Sequence, residues 1–167
     1  MTKSRNVHPI YLALGTNLGH REANLKRAIK KLSPRVTVRA TSKLYETAPA
    51  YVLNQPAFLN MAVKGETTLS PQDLLVYLKR IENGLGREQT IRYGPRIIDL
   101  DIIFYDDWVV DTPDLQIPHP HLTERGFVLY PLADIAAKVI HPTLKQTVAE
   151  LVAALPEASG ILRVIDE

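Results

Sequence analysis

The sequence predicts an α+β domain built on an antiparallel sheet, and three observations carry that prediction. Apolar residues recur at helical spacing in Leu25, Ala28, Ile29 and Leu32, and again in Leu74, Leu75, Leu78 and Ile81. Strand-like runs lie before, between and after these two helices. Two of the runs, Val36 to Tyr45 and Phe58 to Gly65, follow one another without a helix between them, which argues against a parallel doubly wound sheet.

Taken in order, Ile10 to Leu14 (IYLAL) is a short apolar strand ended by Gly15. Gly15 to Gly19 (GTNLG) is a turn in which Thr16 or Asn17 can cap the first helix, and Ser33-Pro34 stops that helix. Val36 to Ser42 alternates as a strand does and stays extended to Tyr45. Glu46 to Gln55 contains Pro49 and fits no period, so it reads as a surface loop. Phe58 to Gly65 is the next strand. Ser70-Pro71 opens the second helix, and Gly84-Leu85-Gly86 closes it. A polar loop bearing arginines runs to Pro95, with glycines at both ends that predict a mobile lid over Gly86 to Gly94. Ile97 to Tyr105 is strongly strand-like, Asp106-Asp107 predicts a turn, and Trp108 to Val110 can pair back as a hairpin. Short helical patterns follow over Leu122 to Tyr130 and, after a Thr147 cap, over Val148 to Leu155. The resulting βαββαβ order is the split pattern of ferredoxin-like folds, with a C-terminal extension. One domain over 1–167 is expected, with its core at 10–155 and flexible tails at 1–7 and 156–167.

Composition narrows the classes. A chain of 167 residues, 46% hydrophobic, is long enough to bury a core without covalent staples. The absence of cysteine excludes disulfide scaffolds, thiolate zinc sites and thiol nucleophiles. Charges interrupt every apolar run before a membrane-spanning length, and basic Met1 to Val7 leads into no long apolar segment. The expectation is a cytoplasmic monomer with no membrane or nucleic-acid partner. Net charge is only +2, yet Lys79 to Arg96 holds Lys79, Arg80, Arg87, Arg92 and Arg96 against Glu82 and Glu88. A local cationic patch on a near-neutral protein suits a small polyanion better than a long one.

The most informative stretch is Arg92 to Ile103 (RYGPRIIDLDII). Alternate strand residues share a face, so Asp99 and Asp101 point the same way roughly 7 Å apart. Ile98, Leu100, Ile102 and Phe104 then take the opposite, core-facing side. Aspartate is disfavoured within strands and two like charges on one face repel, so something must compensate them. Pairing with Arg92 and Arg96 is one solution. A hard divalent cation is the other, since carboxylate oxygens are the ligands Mg²⁺ prefers. Carboxylates for Mg²⁺ beside guanidiniums for phosphate are how phosphoryl-transfer sites are assembled. No G-x-x-x-x-G-K-[ST] occurs, and Gly84-Leu85-Gly86 alone is a helix end, so no phosphate-cradling glycine loop is present.

Three further features bear on a site. His119, within Pro118-His119-Pro120-His121, could be a metal ligand or phosphate donor, or merely part of a rigid exposed turn. Arg125 could reach the same anion or be an ordinary surface residue. Phe58 and Asn60 share a strand face, and an aromatic beside an amide can stack on and hydrogen-bond a flat heterocycle. Taken alone, a core Phe58 with an edge amide is the simpler reading of that pair.

Together these segments resemble the 6-hydroxymethyl-7,8-dihydropterin pyrophosphokinases of folate biosynthesis. The resemblance rests on Arg92 to Ile103, on Thr47 to Asn60 (TAPAYVLNQPAFLN), on the Glu82…Gly86-Arg87 helix end and on Pro118 to Leu132 (PHPHLTERGFVLYPL). Leu14 to Gly19 (LGTNLG) resembles the start of that family as well. It implies a ferredoxin-like α/β/α sandwich with helices on both faces, and an enzyme that uses ATP and two Mg²⁺ ions. Such an enzyme transfers pyrophosphate to the pterin hydroxymethyl group and releases AMP. By position, Asp99 and Asp101 would hold both metal ions, with Arg87 and Arg96 beside them in the catalytic set. Arg87, Arg92, Arg96, His119 and Arg125 would contact or orient the triphosphate, and Glu82 and Ile102 would help form the nucleotide site. The pterin would lie between Phe58 and Phe127, with Asn60, Thr47 and the Ala48, Pro49 and Ala50 backbone reading its edge.

The chain departs from the family pattern at Gln89, where a basic residue can occur, and at Tyr51, Ala50, His121 and Asp114. These positions bear on affinity and loop closure and leave the aspartate pair intact. Two other classes compete with this reading. A metal-dependent phosphohydrolase could use Asp99, Asp101, His119 and His121, but would need more ligands and no stacking slot. A ferredoxin-like RNA-binding module presents sheet aromatics within a broad basic surface, where the aspartate pair would repel phosphate.

Overall fold

The computed structural model describes residues 6–49, 54–86, 97–156 and 160–165. Strand β1 (His8–Thr16) leads into α1 (Arg21–Leu32), β2 (Val36–Thr41), β3 (Leu44–Thr47) and β4 (Phe58–Thr67). Helix α2 (Pro71–Gly84) and β5 (Asp99–Tyr105) follow, then a short pair, β6 (Val110–Thr112) and β7 (Leu115–Ile117). A 3₁₀ turn over Leu122–Glu124, α3 (Gly126–Ala136), α4 (Val148–Ala153) and β8 (Ile161–Ile165) complete the order. The expected lid lies outside the described residues from Arg87 to Gly94, with Gln89 and Arg92, and so do Arg96, Ala50 and Tyr51.

The sheet runs β5-β1-β4-β3-β8, with β2 also paired to β4. The pairings are antiparallel. β2 and β3 are one extended stretch interrupted at Ser42, whose N–H donates to the Ala62 carbonyl (2.9 Å) while its Oγ accepts from the Ala62 N–H (2.8 Å). Counted as one strand, they give the fourth-first-third-second order of a ferredoxin-like sheet, as the βαββαβ pattern predicts.

Helices cover both faces. Leu25, Ala28 and Leu32 of α1 and Leu74 and Leu78 of α2 pack with Ile10, Leu12, Leu14, Leu100 and Ile102. On the other face, Leu129 and Leu132 of α3 and Val148 and Leu151 of α4 pack with Tyr11, Ala62, Ile103 and Phe104. Ser70 caps α2 by accepting from the Asp73 N–H (3.1 Å), and Thr147 and Glu150 form a capping box on α4.

Several expectations are corrected. Neither Thr16 nor Asn17 caps α1, because β1 itself runs to Thr16 and the helix opens later, after His20. Thr16 Oγ1 instead accepts from Asn24 Nδ2 (3.2 Å). Phe104 does not share the face of Ile102: the β1–β5 register shifts between Tyr11 and Leu12, placing both Ile103 and Phe104 against α3 and α4. Trp108 does not begin a hairpin with β5. Its ring packs on His8 and Tyr105, and the pairing is made by β6 with β7. Glu46 and Thr47 are strand rather than loop, because β3 continues along β4 as far as Phe58. Nor are residues 160–165 a loose tail, since β8 pairs with the outer edge of β3. No helix among the described residues is long and apolar enough to cross a membrane.

Candidate active site

The sheet register brings the separate motifs to one end of one face. Gly15 of β1 lies opposite Asp99 of β5 on one side and opposite Asn60 of β4 on the other. One step further in, Ala13 lies opposite Asp101 and Ala62. Thr47 lies opposite Phe58. Directly opposed strand residues share a face, so an acidic end (Asp99, Asp101) and an aromatic–amide end (Phe58, Asn60, Thr47) flank a floor of glycine and alanine. With strands ~4.8 Å apart, the two ends are separated by roughly 10 Å. A cleft of about 490 Å³ opens above this floor, and its lining includes both ends together with Glu82, His119, Arg125 and Phe127.

Glycine at 15 has a specific cause. A Cβ there would come within 2.7 Å of Asn60 Oδ1. Asn60 Nδ2 donates to Thr47 Oγ1 over 2.6 Å, which fixes the orientation of the amide beneath the aromatic end. Phe58 is half-buried, with its ring among the cleft walls, so it is not simply a core residue.

At the acidic end, Glu82 comes from the last turn of α2 and is buried, and its Oε2 accepts from the Leu100 N–H over 2.7 Å. The helix end therefore holds the strand between the two aspartates. Asp101 opens into the cleft but is surrounded by its walls. Lost hydration, followed by the Asp99 and Glu82 carboxylates, pushes its carboxyl up to about 7, while Arg125 and Lys79 pull the other way. An acidic pair under mutual strain on a cleft wall fits a hard divalent cation. Among the described residues no group of three or more His, Asp or Glu side chains is placed to hold a metal.

His119 is held by its own turn, with Nδ1 accepting from the His121 N–H (3.3 Å). Burial, then the Arg125 and His121 charges, lowers it to about 4, so it is neutral near pH 7 and offers an Nε2–H rather than a positive charge. Its backbone N–H donates to the Ile103 carbonyl (3.2 Å), docking the turn on β5. His121 pairs with Glu124 and takes no part in the lining, which removes the histidine pair a phosphohydrolase would use. The Arg125 guanidinium stands 5.7 Å from the centre of the Phe127 ring, linking the cationic and aromatic parts of the cleft.

Of the residues singled out from sequence, Thr47, Ala48, Phe58, Asn60, Glu82, Asp99, Asp101, Ile102, His119, Arg125 and Phe127 all line this cleft. Pro49 is described but does not line it, and Arg87, Arg92, Arg96 and Ala50 are outside the described residues. Sequence reasoning missed Ala13, Gly15 and Lys79 as lining residues, along with Gln116 of β7. Lys79 was visible only as part of a cationic patch, and the floor residues are recognisable only from cross-strand register.

Fold and cleft define a ferredoxin-like domain with a two-ended small-molecule site, acidic at one end and aromatic at the other. The chain belongs to the 7,8-dihydro-6-hydroxymethylpterin-pyrophosphokinase (HPPK) family, whose sequence profile matches residues 11–137. It is 43% identical over 154 residues to the 2-amino-4-hydroxy-6-hydroxymethyldihydropteridine pyrophosphokinase of Bacillus subtilis, covering 90% of this chain and 92% of that one. It is 46% identical over 152 residues to a folic acid synthesis protein of Dictyostelium discoideum, covering 91% of this chain but 23% of the relative. The chain thus spans most of the bacterial relative and under a quarter of the Dictyostelium one. A crystal structure of Plasmodium falciparum HPPK-DHPS with pteroate superposes with a TM-score of 0.74 at 18% identity, covering 92% of this chain and 43% of that one. That likeness establishes the shared fold.

Proposed function

We propose that the chain transfers pyrophosphate from ATP to the hydroxymethyl group of 6-hydroxymethyl-7,8-dihydropterin, releasing AMP, as a step of folate synthesis. The observation that carries this reading is the cross-strand row Asp99–Gly15–Asn60. It sets a carboxylate and an amide either side of a glycine, which supports two small substrates meeting there, a metal-bound polyanion at one end and a flat heterocycle at the other.

In this reading the pterin stacks between Phe58 and Phe127, and Asn60, oriented by Thr47, reads its edge. Asp99 and Asp101 hold two Mg²⁺ ions, which supply Lewis-acid neutralisation of the triphosphate when bound. His119 donates through Nε2–H to a phosphate oxygen, and Arg125 offers its guanidinium to the same group. Arg87, Arg92 and Arg96 are assigned to the triphosphate by their place in the sequence. The pterin alcohol oxygen bonds to the β-phosphorus, the α–β phosphoanhydride bond breaks, AMP leaves with that electron pair, and the hydroxyl proton passes to solvent. In-line placement and charge neutralisation do most of this work, and no general base is assigned. We propose a monomer, with ATP and the hydroxymethyl-dihydropterin as its small-molecule partners. The cytoplasm is the compartment we propose, although the pea relative is named as mitochondrial.

The test is the product. MgATP and the hydroxymethyl-dihydropterin should give AMP and pterin diphosphate in equal amounts. ADP formation, or phosphate release that does not need the pterin, would overturn the assignment.

A further inference from the structure

The end of β3 at Thr47 and the start of β4 at Phe58 are two feet that carry the aromatic–amide end of the cleft. Arg21, the first residue of α1, reaches both feet. Its Nη2 donates to Glu46 Oε2 over 2.5 Å, one residue before Thr47. Its Nη1 donates to the Ala57 carbonyl over 3.1 Å, one residue before Phe58. From the same turn, Asn17 Nδ2 donates to Gln55 Oε1 (2.9 Å) and to the Pro56 carbonyl (3.0 Å). The outgoing foot has a second hold, because the Ala48 N–H donates to the Gly160 carbonyl (2.9 Å) and Arg163 of β8 stands 3.4 Å from Glu46 Oε1.

This is more than a surface ion pair. Arg21 and Glu46 are 27% and 18% exposed at their side chains, and the guanidinium spends its second arm on a backbone carbonyl. Its planar fork is what lets one side chain hold two points, which a single ammonium does less well. Arg21, first among its neighbours, holds the Glu46 carboxyl below the usual carboxylate range.

We infer that Arg21 is a positioning residue for the heterocycle end of the cleft. By bridging Glu46 to the Ala57 carbonyl, it fixes the spacing between Thr47 and the Phe58–Asn60 strand start. It touches neither the acidic end nor the reacting atoms, so its influence falls on one substrate and not the other. The consequence for pterin rests on the function proposed above, whereas the clamp itself does not.

Two readouts separate these levels. Hydrogen exchange on the ligand-free protein reads the clamp. Arg21→Met should speed exchange at Tyr45 to Ala48 and at Phe58 to Asn60, with β1 and β5 amides unchanged. Arg21→Lys should recover the first segment more than the second, since it keeps the Glu46 pairing and loses the fork. Titration with the hydroxymethyl-dihydropterin and with MgATP reads the consequence. Arg21→Met should weaken pterin binding by on the order of tenfold and leave MgATP binding within about twofold. Unchanged exchange at both feet, or acceleration spread evenly over the sheet, would overturn the clamp. Accelerated feet with equal loss of both ligands would overturn the one-sided influence. Failure of the unmodified protein to bind the pterin would instead count against the proposed function, and the exchange result would still decide the clamp.

Discussion

The Glu82 carboxylate and the Leu100 backbone N–H are joined by a 2.7 Å hydrogen bond, and Leu100 is the residue between the two aspartates. An anionic side chain therefore steadies the strand that carries two other anions, at the cost of adding its charge to theirs. Removing the side chain and removing only its charge should then have different effects. Glu82→Ala leaves a buried N–H without its acceptor and should cost about 1–3 kcal/mol, read as a lowered denaturant midpoint. Glu82→Gln keeps an acceptor and should recover much of that loss while lowering the Asp101 carboxyl toward its ordinary range. Equal destabilisation by both variants would mean that charge, not the hydrogen bond, is what Glu82 contributes.

Gly15→Ala tests the floor of the cleft. The added methyl would meet Asn60 Oδ1 at 2.7 Å, so the amide must turn or the strands must part. Pterin binding should weaken by on the order of tenfold, as expected for a misplaced hydrogen-bonding amide worth ~1–2 kcal/mol. MgATP binding, measured by calorimetry, should change far less. An unaltered pterin affinity would show that the Asn60 orientation does not matter.

Phe127→Ala removes one stacking face, and pterin affinity should fall about tenfold or more given ~1–3 kcal/mol for stacking on a flat base. With Phe127 assigned by sequence to the pterin side alone, nucleotide affinity should barely change. The 5.7 Å approach of Arg125 to the Phe127 ring changes that expectation, because the guanidinium loses its aromatic support. A small weakening of MgATP binding should accompany the large pterin effect. A nucleotide effect larger than the pterin effect would place Phe127 in the other subsite.

His141 should make stability depend on pH. The ring is buried, and its Nδ1 accepts from the Thr143 N–H (3.2 Å) and the Leu144 N–H (3.1 Å). Burial lowers its affinity for a proton in the folded state. The unfolded chain protonates first, so the contribution of His141 is complete above its unfolded value of about 6.5 and declines as the pH falls below it. His119 acts in the same direction, so the comparison must be with His141→Gln. The stability advantage of the unmodified protein over that variant should shrink between about pH 7.5 and about 5.5. A constant difference would exclude the neutral ring as a structural acceptor.

Local periodicity made most of the core legible in the sequence. Alternation placed Asp99 and Asp101 on one face, and the spacing of Leu25 to Leu32 and Leu74 to Ile81 fixed two buried helix faces. What stayed hidden depends on partners far along the chain. The side of the sheet taken by Phe104 depends on a register shift against β1, and the order of β8 on an open edge of β3. Gly15 looked like a turn residue because its neighbours Asp99 and Asn60 are 84 and 45 positions away in sequence. Arg21 carried no signal at all, since its partners Glu46 and Ala57 come together only in the folded sheet.

The rate of pterin-dependent AMP release by Asp101→Asn, set beside that protein's metal-free stability, tests the account most directly. In the metal-free protein the raised Asp101 carboxyl means that its charged form is resisted, a penalty that grows as the pH rises from about 4 to about 7. Asparagine keeps the shape and removes that charge, so metal-free stability at neutral pH should hold or rise. The rate should fall by on the order of 10²-fold or more, because a Lewis-acid metal is worth several kcal/mol of transition-state neutralisation. A metal-free protein that unfolds on this substitution, yet transfers pyrophosphate at the unmodified rate per folded molecule, would contradict the assignment of the aspartate pair to magnesium.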